Sequence, residues 1–167
     1  MRCRGRERAF DSAFPLFPYE GAMRSLVSAY KKGGRRSLSG LFADFMAEAI
    51  EASWPERTIV PVPPRPGKLR KAGWDQVEEI ARDLERRGFR VSRPLERRRS
   101  EEQKALGRGD RGANARKAYA LKAGERSPES PLVIDDVVTT CATLEACALA
   151  LKEGGAGSVI ALVLAAD

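Results

Sequence analysis

The chain has 167 residues, with 30 Lys and Arg against 23 Asp and Glu, a net charge of +7 and 43% apolar residues. That length and apolar share suit one buried core and a single α/β domain. With no histidine and three cysteines that form no C-x-x-C pair, the chain has no Ser-His or Cys-His nucleophile pair, and the pattern argues against a structural zinc site. Any chemistry must therefore run on carboxylates, cations, backbone dipoles or a bound metal.

The N-terminus, Met1 to Arg8, is basic but leads into no apolar signal core, which predicts a cytoplasmic address. No element is assigned to residues 1–18. Ala22, Met23, Leu26, Val27 and Tyr30 recur at helical spacing, and Lys31-Lys-Gly-Gly34 gives a cationic helix end. A wide apolar stripe of Leu38, Leu41, Phe42, Phe45, Met46, Ala49 and Ile50 predicts a second, core-facing helix over 37–52, closed by Trp54-Pro55. Thr58 to Val62 reads as a short strand. Pro63 to Lys71 reads as a loop with four cations and no acid, and the next helix starts near Asp75 and ends before Gly88. Residues 97–117 hold eight Lys and Arg against Glu101, Glu102 and Asp110, which predicts an extended basic arm that is mobile. Ala118 to Leu121 is a candidate strand. The longest apolar run, Val159 to Ala166, is too short to span a bilayer and reads as a buried strand, so no membrane insertion is expected.

The most informative stretch is Leu132-Val-Ile-Asp-Asp-Val-Val-Thr-Thr-Cys-Ala-Thr-Leu144. Leu132 to Ile134 suit a buried parallel strand, and the run stops at two adjacent carboxylates. Beyond small hydroxyl residues, Leu144, Cys147, Ala148 and Leu151 form the apolar face of a helix that Thr143 can cap and that Gly154 and Gly155 stop. The first N–H groups of such a helix lack partners and carry the positive end of its dipole. A phosphate can dock on Thr139, Thr140, Cys141, Ala142 and Thr143, with Asp135 and Asp136 placed for ribose hydroxyls or a hydrated Mg2+. Taken alone, the acid pair reads more simply as the end of a strand.

The full order of strand, two acids and hydroxyl-rich loop resembles the 5-phosphoribosyl-1-pyrophosphate (PRPP) motif of type I phosphoribosyltransferases, with Cys141 where glycine is usual. Further landmarks resemble the ComF family of competence-associated proteins. These are Tyr19-x-Gly21 with Lys31 and Gly34, Val60-Pro-Val-Pro63, Gly73-Trp-Asp-Gln76, and an arm running from Leu95 through Gln103, Arg111 and Asn114 to Tyr119. They cover about residues 19–165. The family's frequent cysteine-rich N-terminal segment is reduced to Cys3, and Ala72 stands where its Arg-Gly-Phe-Asn-Gln element begins with arginine.

The resemblance implies an α/β fold of the type I phosphoribosyltransferase kind, with a mainly parallel central sheet flanked by helices and the site at the carboxyl ends of its strands. It implies that Asp135 and Asp136 face the ribose and, indirectly, Mg2+. It also implies that Thr139 to Thr143 hold the 5-phosphate, that Pro64 and Arg65 meet the pyrophosphate, and that Gln103, Arg111 and Asn114 close over the ligand as a lid. The implied activity is transfer of a phosphoribosyl group from PRPP to an unidentified amine or nucleobase. The alternative is a non-catalytic module of DNA uptake that binds single-stranded nucleic acid or a helicase partner, for which +7 supplies the electrostatic term. The two readings part on whether Arg97 to Arg99 line the pocket or form an outward stripe. Self-association stays open.

Overall fold

A computed structural model describes residues 8–98 and 118–167. Four strands form one parallel sheet: β1 (Ser12–Pro18), β2 (Thr58–Pro61), β5 (Pro131–Val138) and β6 (Ile160–Ala166), in the order β1-β6-β5-β2. Beside it, β3 (Leu95–Arg97) pairs antiparallel with β4 (Tyr119–Leu121). The helices are α1 (Gly21–Lys31), α2 (Leu38–Ser53), the short α3 (Lys68–Ala72), α4 (Gln76–Arg86) and α5 (Ala142–Glu153). The expected α/β architecture with a parallel central sheet is thus observed.

Strand alternation divides the core in two. Leu132 and Ile134 of β5, with Leu162 and Leu164 of β6, meet Phe42, Met46 and Ile50 of α2 and Ile80 and Leu84 of α4. On the opposite face, Val133, Ala161 and Val163 meet Leu144, Cys147 and Leu151 of α5, together with Leu95 and Tyr119 of the small sheet. Leu132, Ile134 and Leu162 are wholly buried, and Val133 nearly so. Burial on both faces explains why β5 reads as a continuous apolar run rather than an alternating one.

Three local readings are corrected. β5 does not stop at the acids but runs on to Val138, because Val137 and Val138 pair with Ala165 and Ala166. Pro63 to Lys71 is not loop throughout, since Lys68–Ala72 makes a helical turn. The helix after the acids starts at Ala142 with Cys141 as N-cap, so Thr143 lies inside it and does not cap it. The sequence reading also missed β1, whose prolines at 15 and 18 suit an edge strand, and the three-residue β3.

Polar staples close the frame away from the site. Asp11 accepts hydrogen bonds from the Val159 N–H and from Lys152, both at 2.7 Å, which fastens the start of β1 to α5 and β6. Arg57 donates to the carbonyls of Pro131 and Ser158 and to the Ser158 hydroxyl. Among the described residues no helix is long and apolar enough to cross a membrane.

The orientation of α2 yields a paired prediction. Phe42 is fully buried and packs edge-on against Tyr30 at 5.1 Å, whereas Leu41 is 38% exposed. Phe42→Ala should cost about 3–5 kcal/mol in urea denaturation, and Leu41→Ala no more than about 0.5 kcal/mol. Equal losses would place α2 wrongly.

Candidate functional site

Because all four strands of the main sheet are parallel, their carboxyl ends share one edge. There β5 passes through Asp135 and Asp136 and turns at Thr139 and Thr140 into α5. The turn is made by Cys141, at φ 59 and ψ 3, the one non-glycine residue with positive φ among those described. A side chain in this left-handed region costs roughly 1–2 kcal/mol, and it explains why glycine suits the position. The Cys141 side chain is 7% exposed and packs into the α5 core, so it is directed away from the mouth of the loop. Thr139, Thr140 and Ala142 are exposed. No side chain caps α5, and the first amide donors of a helix have no partner within it, which is what an anion site uses.

The acids differ in environment. Asp136 is 8% exposed and accepts a 2.8 Å ion pair from Lys31 at the end of α1. Asp135 is half-buried, and its Oδ1 accepts the Asp136 N–H at 2.9 Å. Burial, reinforced by the neighbouring negative charge of Asp136, pushes the Asp135 carboxyl up to about 7, while the Asp136 N–H and Lys31 act in the opposite direction. The two carboxyl groups are consecutive in β5 and leave it on opposite faces, Asp136 toward Lys31 and Asp135 toward the face covered by α5.

Lys31 is itself held. The Tyr30 hydroxyl donates to the Gln76 carbonyl at 2.8 Å, and the Gln76 side-chain amide donates to the Lys31 carbonyl at 3.4 Å. Asp75 caps α4 through the N–H groups of Val77 and Glu78. It also accepts Lys68 at 2.6 Å, and Lys68 reaches the Gln76 side-chain oxygen. Trp74 is flanked by Tyr30 at 5.3 Å and by the Arg36 guanidinium at 5.2 Å. The Trp74-Asp75-Gln76 segment thus fastens α1, α3 and α4 beside the acids. The sequence reading gave these residues no such role.

On the other side, Pro61 pairs with Ile134 and the Val62 N–H donates to the Ile134 carbonyl at 3.0 Å, so the loop carrying Pro64 and Arg65 leaves the sheet next to Asp135. This loop borders a cavity of about 560 Å3, whose walls are α4, through Glu78 and Arg82, and β3 with Arg98 and Lys122. Arg97 and Arg98 line that cavity rather than an outward stripe. The Arg97 guanidinium lies 5.4 Å from the Tyr119 ring centre. Burial, more than any neighbouring charge, raises the Tyr119 phenol to about 12, and a side-chain hydrogen bond with Thr143 opposes the rise. Tyr119 packs with Leu144 and Cys147 of α5 and so connects the cavity wall to that helix, a role the sequence does not signal.

The expected residues thus divide. Asp135, Asp136 and Thr139 to Thr143 are contiguous, and Pro64 and Arg65 stand beside them on the adjacent strand's loop. Cys3, Arg99 and the arm residues Gln103, Arg111 and Asn114 lie outside the described residues. Among the described residues no three His, Cys, Asp or Glu side chains converge as a metal cage.

A parallel sheet with an acid pair in its central strand, continuing into a hydroxyl-rich loop at a helix N-terminus, has the arrangement of a type I phosphoribosyltransferase-like α/β protein. The ComF resemblance is borne out by a homologue. Over 144 residues the chain is 31% identical to the competence protein ComFC of Streptococcus pneumoniae (strain ATCC BAA-255 / R6), a match covering 86% of this chain and 63% of that one. The chain thus spans less than two thirds of that relative. No protein-family model matches the chain. Among solved structures, a hypoxanthine phosphoribosyltransferase from Staphylococcus aureus aligns with a TM-score of 0.46 and 12% identity, over 79% of this chain and 65% of that one.

The raised Asp135 carboxyl makes stability depend on pH. Between its ordinary value of 3.8 and about 7 the folded state retains the proton that the unfolded chain gives up, so stability falls as pH rises through that window. Asp135→Asn should flatten this decline and gain stability relative to the native chain at pH 8 compared with pH 5, read by urea denaturation. A parallel pH dependence in both proteins would contradict the assignment.

Proposed function

We propose that the protein binds PRPP with Mg2+ and transfers the phosphoribosyl group to an amine or nucleobase, releasing pyrophosphate, in a competence-related setting. The observation that carries this reading is the meeting, at one sheet edge, of two adjacent carboxyl groups of β5 and the uncapped N-terminus of α5. Thr139 to Thr143 would take the 5-phosphate through backbone N–H groups and hydroxyls. Asp135 and Asp136 would accept the ribose hydroxyls, and Arg65 would meet the pyrophosphate. Asp136 already carries the Lys31 ammonium, so the donor set suits a hydrated Mg2+ delivered by the pyrophosphate rather than an ion caged by protein. When bound, that ion neutralises charge on the leaving group.

In the reaction the acceptor nitrogen donates its lone pair to the anomeric carbon as the bond to pyrophosphate breaks, and the nitrogen proton passes to solvent or to the leaving group. Positive charge develops on the sugar. The two carboxyl groups lie where they would oppose that charge, and Arg65 where it would stabilise the opposite charge on pyrophosphate. Neither role needs a histidine or a protein nucleophile.

The name of the ComFC relative and the net charge of +7 also support a second reading, a non-catalytic module that meets single-stranded nucleic acid or a helicase partner during DNA uptake. The lining of the cavity by Arg97 and Arg98 favours the first. Salt-sensitive binding of single strands, with no PRPP binding, would favour the second.

Calorimetry with PRPP and Mg2+ is the test. Asp136→Asn should weaken binding by about 1.5–3 kcal/mol, as for a charge-assisted hydrogen bond, and Thr140→Val by about 0.5–1.5 kcal/mol. Cys141→Gly should change affinity by less than about threefold, because the backbone already holds a glycine-like φ and the side chain is turned into the core. Failure of both the native chain and Cys141→Gly to bind at millimolar PRPP, with the fold intact, would overturn the transferase reading.

A further inference from the structure

The cavity beyond Arg65 is lined by six cationic side chains, Arg65, Arg82, Arg93, Arg97, Arg98 and Lys122, against the two carboxylates Glu78 and Glu96. Glu78 is engaged by Arg93 at 3.0 Å and by Arg82 at 3.2 Å, and Arg93 also pairs with Glu85. These contacts neutralise the α4 wall. The β3 and β4 wall keeps Arg97, Arg98 and Lys122 against Glu96 alone, a local excess of positive charge. Between the walls lies an apolar floor of Pro61, Pro63, Pro64 and Leu95. A volume of about 560 Å3 is that of a small-molecule site, with an apolar bed and a few polar groups that fix orientation. None of Asp135 to Thr143 lines it. It is therefore a compartment beside the phosphate cradle, separated from it by Arg97 and Tyr119 and bordered by Arg65 on the pyrophosphate side.

We propose that this cavity receives the acceptor, and that the acceptor carries its own acidic group, a carboxylate or a phosphate, on a flat apolar body. The proposal rests on the transferase reading above and adds the chemical class of the second substrate. Pro61, Pro63 and Leu95 take the ring or alkyl body, which needs no hydrogen bonds. Arg97, Arg98 and Lys122 take the acid. The nucleophilic nitrogen then points past Arg65 toward the anomeric carbon. A neutral base would leave these cations uncompensated in the closed complex, which disfavours uracil-like or amide acceptors relative to their acidic counterparts.

Calorimetry on the full chain tests this with matched probes: orotate against uracil, nicotinate against nicotinamide, and adenosine monophosphate against adenosine. Each is titrated with and without saturating PRPP and Mg2+, and pyrophosphate release is followed in parallel. PRPP binding should be seen, and at least one acidic probe should bind at least tenfold tighter than its neutral partner. That preference should fall at least tenfold in Arg98→Met, at a half-buried position, and in Lys122→Met, at an exposed one, and the unfolding midpoints of both should stay near the native value. The carboxylate and phosphate probes distinguish the two forms of acid. PRPP binding with no acidic preference in any pair would overturn the acceptor proposal while leaving the transferase reading intact. Absence of PRPP binding would overturn both, even if acidic probes still bound. Competition by single-stranded DNA without binding of any small probe would assign the cavity to a polyanion and overturn the proposal.

Discussion

The ion pair between Lys31 and Asp136 joins the last turn of α1 to the central strand, and the site could not be built without it. A carboxylate at 8% exposure is expensive to keep charged unless a partner compensates it, and Asp135 beside it adds repulsion. Lys31 meets that need from a helix whose position is set by Tyr30, buried between Phe42 and Trp74 and hydrogen-bonded to the Gln76 carbonyl. The Trp74 to Gln76 segment therefore matters to the acids although it does not touch them. Loss of that anchor would free Lys31 and leave a buried charge unpaired, a change felt at the site before it is felt in the fold.

Charge is distributed in opposite senses across the site. Its floor is acidic, through Asp135 and Asp136, and its rim is cationic, through Arg65, Arg97 and Arg98. Such a gradient suits a ligand whose sugar becomes positive while its pyrophosphate departs negative. The N-terminus of α5 adds positive potential without a formal charge. The left-handed turn at Cys141 puts that N-terminus there, and the core accepts the thiol side chain in return.

Much of this was legible in the chain. The apolar run at 132–134 and the stripe at 38–50 announced the central strand and its covering helix, because both are buried enough for composition to follow geometry. Asp75 was legible as a helix start, since capping is a local matter. β1 was not, because Ser12 to Pro18 carries two prolines and gains its order from β6, a partner nearly 150 residues away. β3 was too short to show a period. The continuation of β5 past the acids was hidden because Asp135 and Asp136 break an apolar pattern that register with Ala165 and Ala166 restores. Pairings such as Lys31 with Asp136, or Arg97 with Tyr119, arise only in three dimensions and leave no trace in spacing.

The central claim, that β5 and the N-terminus of α5 form a cradle for PRPP, is tested most directly by amide chemical shifts in 15N-labelled protein titrated with PRPP and Mg2+. The account predicts that the amides of Thr139 to Thr143, Asp135, Asp136 and Arg65 shift together along one saturable curve. Inorganic phosphate should move the Thr139 to Thr143 amides alone. Shifts confined to other parts of the sheet, or none in the cradle at millimolar PRPP, would contradict it.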